Sequence, residues 1–344
     1  MSGILPAART GTAPDDGAAA AGADTDSHAA TPRDHGGGVD EAARRFGGSR
    51  ADWIDLSTGI NPVPWPVPHL PSGVWTALPD REATAKLEAA AQRIWRVPES
   101  AAVLAAPGAS ALIARIPALA PPGRVGIPGP TYNEHAAAFR AAGWEVAAGG
   151  SLRADARVAV HPNNPDGRVW TAAELPDGPL TVIDESFCDI CPEVSLIALA
   201  ERRRTLVLKS FGKFWGLAGL RLGFAIGDPA LIARLAEGLG PWPVSGPALA
   251  IGAAALSDTA WAETSRARLA RDAARLDALM VGAGATVAGG TILFRLYDTQ
   301  DAAGWQARLA RHRIWSRIFP WSDTRLRLGL PGGDAAWSRL AAAL

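Results

Sequence analysis

Short apolar runs alternate with amphipathic segments along most of the chain, and this alternation predicts a layered α/β protein. Apolar and β-branched residues fill runs at 101–106, 180–184 and 204–208, and glycine or polar residues follow each run. At 83–95 the apolar residues recur with the period of an α-helix. Strand–helix order repeated across 75–255 predicts a mostly parallel central sheet with helices on both faces.

The two ends of the chain have different patterns. Residues 1–33 contain mainly Ala, Gly, Asp, Thr and Pro with little periodic apolar content, which predicts a disordered extension. Residues 34–74 combine a predicted helix at 39–46 with a proline-dense connector, and we expect this segment to contribute to the functional site. Residues 75–255 then form a large domain, and strand–helix alternation at 256–344 predicts a smaller α+β C-terminal domain.

Composition narrows the class of protein. Of 344 residues, 48% are hydrophobic and 20% are charged, and 34 basic residues balance 34 acidic ones. This balance argues against general binding of nucleic acid or of an acidic membrane surface. No apolar run spans a bilayer and no secretory signal is evident, so we expect a cytoplasmic protein. Cys188 and Cys191 lack further ligands at zinc spacing, and we expect two reduced thiols and no metal.

The candidate chemistry lies in the stretch 207–223. Lys213 and Arg221 are polar groups in otherwise apolar surroundings. Desolvation disfavours an ammonium group and lowers its pKa, which makes the amine a nucleophile toward a carbonyl. Ser210 and Arg221 offer a hydroxyl and a guanidinium fork suited to a phosphate. The array therefore suits a lysine Schiff base with a phosphorylated aldehyde, pyridoxal 5′-phosphate (PLP).

The alternative is a surface lysine on a loop between two strands, but that alternative leaves the serine–lysine–arginine array unexplained. The chain contains only three lysines, and Lys86 falls in an amphipathic helical pattern while Lys209 falls in a strand. Lys213 is therefore the best candidate for the Schiff base.

The segment Ser-Phe-Gly-Lys-Phe-Trp-Gly-Leu-Ala-Gly-Leu-Arg-Leu-Gly at 210–223 resembles the lysine segment of fold-type I PLP enzymes, the aspartate aminotransferase superfamily. It is most similar to the branch that holds histidinol-phosphate aminotransferases and threonine-phosphate decarboxylases. Further motifs follow in that family's order across roughly 35–344. The resemblance implies a fold-type I PLP-dependent transferase fold, PLP as cofactor, and a homodimer with shared active sites.

The resemblance also implies the cofactor contacts, although each motif alone is a commonplace turn or helix start. The catalytic residues it implies are Lys213, Asp184 and Tyr132. The cofactor contacts are Gly108, Ala109, Ser110, Ser210 and Arg221 at the phosphate, Tyr132 stacked on the ring, Asn164 at the phenolic oxygen, and Asp184 at the protonated pyridine nitrogen.

Substrate contacts are expected from three places. The segment His35-Gly36-Gly37 resembles the part of threonine-phosphate decarboxylases that lies near the substrate phosphate, with a plain glycine hinge as the alternative. Asn61 belongs to a matching segment that crosses back over the active site, and Asn164 also faces the substrate. Alternation puts Arg325 and Arg327 on one strand face, where one of them clamps the substrate carboxylate. Arg327 fits the family position better, and Arg325 is the alternative.

Two positions depart from the family pattern. Leu78 stands where a tyrosine usually reaches the cofactor phosphate of the partner subunit, and Phe187 stands where a tyrosine hydroxyl usually reaches the cofactor. Neither side chain can make such a hydrogen bond.

The resemblance implies decarboxylation of L-threonine O-3-phosphate, a phosphorylated amino acid, to (R)-1-aminopropan-2-ol phosphate and CO₂ in cobalamin biosynthesis. The lysine motif serves transamination equally well, so a histidinol-phosphate or related aminotransferase is the first alternative. A non-catalytic PLP-fold binding protein is the second, and the complete set of Asn164, Asp184, Lys213 and Arg221 argues against it.

Overall fold

A seven-stranded sheet organises the fold. The structure is a computed structural model that describes residues 35–147, 149, 151 and 153–344, so the extension expected at 1–33 lies outside the described residues. The described strands are β1 (Ile54–Asp55), β2 (Ala102–Ala106), β3 (Arg124–Gly126), β4 (Glu145–Val146), β5 (Ala156–Val160), β6 (Leu180–Asp184), β7 (Thr205–Ser210), β8 (Gly223–Gly227), β9 (Thr286–Thr291), β10 (Phe294–Asp298), β11 (Ile314–Trp315), β12 (Arg317–Phe319) and β13 (Ser322–Gly329).

Helices cover the sheet and link it to the C-terminal part of the chain. The described helices are α1 (Val39–Phe46), α2 (Gly73–Thr76), α3 (Arg81–Trp95), α4 (Ala109–Ile113), α5 (Asn133–Ala141), α6 (Pro229–Leu239), α7 (Gly246–Leu256), α8 (Thr259–Gly282), α9 (Ala302–Arg311) and α10 (Asp334–Ala343). None of these helices is both long enough and apolar enough to cross a membrane.

The order in the large sheet is β2-β8-β7-β6-β5-β3-β4. Strands β4, β3, β5, β6 and β7 pair in parallel, and β8 runs antiparallel to both of its neighbours. The expected mostly parallel sheet is confirmed. Every residue of β5 and β6 is buried, as expected for strands covered by helices on both faces. The carboxyl ends of β2, β3, β5, β6 and β7 therefore meet at one edge, where the candidate site residues follow them.

Helix α3 illustrates how the local sequence sets an element. Asp80 accepts a hydrogen bond from the backbone N–H of Ala83 at 2.7 Å and so caps the first turn. Leu87, Ala91 and Trp95 recur every four residues and are buried, which gives the helix one apolar face. Arg96 ends the helix in the left-handed conformation.

Two expected elements are shorter than their patterns indicate. The apolar run after 108 predicts a helix to about 120, but α4 ends at Ile113 and a 3₁₀ turn follows at Ile116–Leu119. Pro117 explains the break because it has no backbone N–H and clashes with a continuing helix. The strand expected at 220–226 begins only at Gly223, because Arg221 has a positive φ of 52° that an extended strand does not allow.

The C-terminal part builds a separate, smaller antiparallel sheet in the order β12-β13-β10-β9, packed with α9. This confirms the smaller α+β region. Strand β1, from the N-terminal segment, pairs in parallel with β11. The residue boundaries of the domains stay a prediction.

A buried ionic cluster ties the central sheet to its helices. Lys209 Nζ lies 2.6 Å from a Glu185 oxygen and 3.7 Å from Asp189 Oδ1. The indole N–H groups of Trp95 and Trp215 donate to Asp189 at 2.8 and 2.9 Å. Burial alone lowers the pKa of Lys209, but the two carboxylates outweigh burial and hold this pKa above its ordinary value. The cluster is therefore charged and internally satisfied.

We expect Asp189→Ala to lower the free energy of unfolding by roughly 3–5 kcal/mol, because it leaves two buried indole N–H groups and part of the Lys209 charge without a partner. Denaturant titration of the wild type and the variant measures the loss. Glu193→Ala, which removes an exposed acid from the same segment, is the control. Equal stability of the two variants would contradict the assigned role of Asp189.

Candidate active site

A cavity of about 750 Å³ opens where the carboxyl ends of the parallel strands meet the small sheet. From the expected cofactor contacts, Ser110, Tyr132, Asn164, Lys213 and Arg221 line it. From the expected substrate contacts, His35, Gly36 and Arg327 also line it. Residues far apart in sequence thus converge on one space, while their individual roles stay predictions.

Lys213 lies in the loop between β7 and β8. Its backbone carbonyl accepts hydrogen bonds from the N–H groups of Asn61 at 2.9 Å and Gly216 at 3.2 Å, which fix the loop. Its Nζ lies 5.5 Å from the centre of the Phe187 ring. Burial, together with the positive charges of Arg327 and Arg221, lowers the pKa of Lys213 to about 8, although Asp184 opposes the shift. A lowered pKa leaves more of the amine neutral near pH 7, which is the condition for the nucleophilic role that the sequence predicts.

Asp184 ends β6 and is 2% exposed. His135 Nε2 donates to its Oδ2 at 2.7 Å, and the backbone N–H and hydroxyl of Ser186 donate to its Oδ1 at 3.0 and 2.5 Å. Burial raises the pKa of Asp184, but the hydrogen bond and charge of His135, with the Ser186 hydrogen bonds, bring this pKa below its ordinary value. The buried carboxylate is held in its ionised form.

His135 was missed by sequence reasoning. It lies on α5, three residues after Tyr132, and is 1% exposed. A histidine one helical turn after the expected stacking residue was the available signal, because residues i and i+3 share a helix face. The rings of Tyr132 and His135 meet edge to face at 6.1 Å.

The turn at Gly108, Ala109 and Ser110 packs directly against Arg221. Gly108 has a φ of 84°, and a Cβ there would lie 2.7 Å from Arg221 Nη2. A Cβ at Gly223 would lie 2.4 Å from the backbone nitrogen of Ala109. Glycine is therefore required for this close approach of helix start, strand and guanidinium. The turn, its amides and Arg221 fit the phosphate of PLP.

The two candidate carboxylate arginines have different surroundings. Arg327 is 5% exposed, and its guanidinium donates to the Ser57 carbonyl at 2.5 Å and to Asn164 Oδ1. Arg325 Nη1 lies 3.6 Å from Asp298 and does not line the cavity. The geometry therefore favours Arg327, the residue preferred from the sequence.

Some expected contacts lie outside the cavity wall. Asn61 donates to the Phe214 carbonyl at 2.8 Å and accepts from Arg268 at 2.6 Å, so its side chain is engaged in holding the lysine loop. The N–H of Gly37 donates to the Ser57 hydroxyl at 2.7 Å. Ser210 pairs with Gly223 across the β7–β8 ladder and does not line the cavity. Their direct contact with ligands stays a prediction.

Further residues of the cavity wall were missed by sequence reasoning. Arg317, Phe319 and Trp321 alternate along β12 and its turn and all line the cavity. The Arg317 guanidinium lies 5.4 Å from the Phe319 ring, which stacks on Trp321 at 4.9 Å. Glu134 also lines the cavity, and its Oε1 lies 2.9 Å from His35 Nε2. The alternating pattern at 317–321 was visible in the sequence. The sequence did not show that the face with Arg317, Phe319 and Trp321 lies toward the active-site cavity.

The two departures from the family pattern have distinct locations. Leu78 is 68% exposed and lies outside the active-site cavity. Phe187 lines the cavity, and its ring packs edge to face on Phe294 at 4.9 Å.

Both cysteines are free thiols. Cys188 lies near His161 and Glu185, with ligand atoms within 4.8 Å of one another. The backbone N–H of Trp170 donates to His161 Nδ1 at 2.9 Å, so His161 Nε2 donates to the Val194 carbonyl at 2.7 Å. Both histidine nitrogens are thus occupied, and we assign no metal to this group.

The fold and the cavity together define a PLP-dependent enzyme of fold type I. The family model described as aminotransferase class I and II matches residues 51–343. The chain therefore belongs to the aminotransferase class I and II family.

Individual relatives narrow the comparison. The chain is 42% identical over 326 residues to a threonine-phosphate decarboxylase of Sinorhizobium sp, covering 90% of this chain and 97% of the relative. It is 43% identical over 327 residues to a threonine-phosphate decarboxylase of Pseudomonas aeruginosa, with the same coverage of 90% and 97%. A solved histidinol-phosphate aminotransferase from Sinorhizobium meliloti, in complex with PLP, superposes with a TM-score of 0.75 at 19% identity, covering 89% of this chain and 93% of that one. The last similarity concerns the fold alone.

The chain's three lysines allow a direct test of the Lys213 environment. We expect acetylation of the cofactor-free protein at Lys213 to rise with pH with a midpoint near pH 8 and to level off by about pH 9, because only the neutral amine reacts. Competitive labelling with acetic anhydride, read by peptide mass spectrometry, measures the pH dependence. Lys86 is the exposed reference, and buried, ion-paired Lys209 should stay unmodified. A Lys213 profile that keeps rising to about pH 10 would contradict the lowered pKa.

Proposed function

We propose that this chain is a PLP-dependent carboxy-lyase that converts L-threonine O-3-phosphate to (R)-1-aminopropan-2-ol phosphate and CO₂. The observation that carries the proposal is the convergence of one desolvated amine, Lys213, and three arginines, Arg221, Arg317 and Arg327, on one cavity. Similarity to threonine-phosphate decarboxylases over 90% of the chain supports the choice of substrate.

Three arginines match three anionic groups. Arg221 packs against the Gly108 turn and would hold the cofactor phosphate. Arg327, anchored to Ser57 and Asn164, is suited to a carboxylate on the reacting carbon. Arg317, on β12, lines the same cavity, and we assign it to the phosphate of the substrate. O-Phosphothreonine carries both a carboxylate and a phosphate, and would satisfy both arginines at once.

When bound, PLP supplies an aldehyde that condenses with an amine and a ring that accepts the electron pair of a broken bond at the α-carbon. Asp184, held ionised by His135, would keep a proton on the ring nitrogen. Tyr132 would cover the ring face, which excludes water from the reacting carbon. Lys213, with a pKa of about 8, would accept and return protons near neutral pH.

Arg327 would decide which bond breaks. Two of its guanidinium nitrogens are already directed at Ser57 and Asn164, so the group has little freedom to rotate. A carboxylate bound to it would be held in one orientation about the α-carbon. By setting this orientation, Arg327 would select between loss of CO₂ and loss of a proton from the α-carbon.

A histidinol-phosphate aminotransferase is the second candidate, favoured by 30% identity over 197 residues to a histidinol-phosphate aminotransferase of Burkholderia mallei, which covers 54% of this chain and 55% of that relative. Histidinol phosphate carries a phosphate but no carboxylate, and leaves Arg327 without an anion in that half of the reaction.

The proposal extends to a cytoplasmic homodimer with shared active sites that acts in cobalamin biosynthesis. Exposed Trp75, Leu78 and Trp242, which are 67%, 68% and 58% accessible, support a covering partner near α2.

We expect the PLP-loaded protein to release CO₂ from O-phosphothreonine without any keto-acid acceptor. Lys213→Ala should lower this turnover by roughly 10²–10⁴-fold because it removes the proton-transfer group. Manometric or coupled CO₂ detection measures the rate, and Lys86→Ala is the matched lysine control. Turnover that requires a keto acid would instead support the aminotransferase.

The arginine assignments give a second expected outcome. Arg317→Ala should raise KM for O-phosphothreonine by about 30-fold or more, the loss expected for a charge-assisted phosphate contact. Arg327→Ala should lower kcat as well, because orientation of the carboxylate is lost.

Steady-state kinetics on these variants tests the two roles. Arg325→Ala, which removes a nearby arginine paired with Asp298, is the control and should change neither constant by more than about twofold. Equal changes in kcat and KM in all three arginine variants would contradict the separate roles assigned to Arg317 and Arg327.

A further inference from the structure

A second cavity, here called the basic cavity, opens on the surface with a volume of about 510 Å³. It is lined by Ala51, Asp52, Arg311, His312, Arg313 and Arg339. None of these residues lines the active-site cavity. Three arginines and a histidine thus face one space with a single acid.

The positive charges of the basic cavity outnumber its one acid, Asp52, which interacts electrostatically with Arg313 and Arg339 but makes no direct ion pair with either within the described part of the chain. There, no carboxylate oxygen lies within the 4.0 Å ion-pair distance of Arg311, Arg313 or Arg339. Other arginines do pair, as Arg168 does with Glu174 at 2.8 Å. The one acid, Asp52, directs its Oδ2 to the N–H and hydroxyl of Ser49 at 2.7 and 2.9 Å instead.

Arg339 and Arg313 differ in how their guanidinium groups are bonded. Arg339 Nη1 donates to the carbonyl of Asp52 at 2.7 Å. Arg313 adopts a φ of 59°, a conformation that non-glycine residues rarely take. Its Nη1 is buried without a hydrogen-bond partner, and a Cβ at Gly48 would lie 2.4 Å from it. Arg313 therefore contributes a positive charge with a buried, unpartnered N–H group at the cavity wall. Holding like charges close together costs free energy unless an anion compensates them.

The basic cavity and the active site lie at opposite ends of the short β1–β11 pair. Asp52 and Arg313 precede the two strands and line the basic cavity. Thr58 and Arg317 follow the same strands and line the active-site cavity. The two cavities are therefore separate, although a few residues of extended chain connect them.

We propose that the basic cavity is a second anion site that binds a phosphate group, either as inorganic phosphate or as a small phosphate monoester. Guanidinium forks match the oxygens of phosphate in both geometry and charge. The volume accommodates either form. This site does not depend on the function proposed for the active site.

Equilibrium dialysis of the PLP-loaded enzyme with radiolabelled inorganic phosphate, at constant ionic strength in chloride, tests the proposal. The double variant Arg311→Ala/Arg339→Ala should lose one equivalent of phosphate, with affinity at that site reduced by about tenfold or more. Arg93→Ala/Arg271→Ala, which removes two exposed arginines that also lack a carboxylate partner among the described residues, is the matched control and should retain it.

A further variant separates this site from the active site. Arg317→Ala should keep the phosphate of the basic cavity even if it weakens binding in the active site. Competition by phosphoethanolamine distinguishes inorganic phosphate from a phosphate monoester as the ligand. Displacement of the labelled phosphate would show that the site accepts monoesters. Absence of displacement would restrict the site to free phosphate. Three results would each overturn the proposal. The first is unchanged phosphate binding in the Arg311→Ala/Arg339→Ala variant, and the second is an equal loss of binding in the control variant. The third is no binding to the wild type at millimolar phosphate.

Discussion

The desolvated amine of Lys213 is the feature on which the site depends. An ammonium group on Lys213 would add a third positive charge to the cavity wall beside Arg221 and buried Arg327, and Asp184 compensates only part of it. The loop cannot relieve this crowding, because Asn61 and Gly216 hold the carbonyl of Lys213 by hydrogen bonds. The lowered pKa of Lys213 therefore follows from how the loop is packed rather than from lysine chemistry alone.

Asp184 at the end of β6 and the next residue, Glu185, have different partners. Side chains alternate across a strand, so Asp184 and the following Glu185 point to opposite faces. Asp184 meets His135 on one side. Glu185 meets buried Lys209 on the other, where Asp189 and two indoles complete the cluster. The end of β6 thus carries the candidate cofactor acid, Asp184, next to Glu185, which belongs to the buried ionic cluster of the large sheet.

Local patterns predicted the elements best where one residue sets a boundary. Helix α1 has the bounds 39–46 that its pattern indicates, because glycines stand at both of its ends. Helix α4 was overestimated because apolar content continues past the point where Pro117 stops the helix. In the site, Lys213, Asp184 and the Gly108 turn were predictable, since each follows a strand whose carboxyl end reaches the same edge.

The sequence by itself determined the class of fold and the family to which the chain belongs, and it singled out Lys213 as the candidate for chemistry, because these depend on short-range patterns and on residue types. Only the tertiary structure decided that Arg327 rather than Arg325 faces the cavity, that His135 supports Asp184, and that Arg317 joins the wall. Each of these depends on how elements distant in the chain are positioned relative to one another. The packing of the small sheet against the large one determines these relative positions, and no local sequence pattern encodes them.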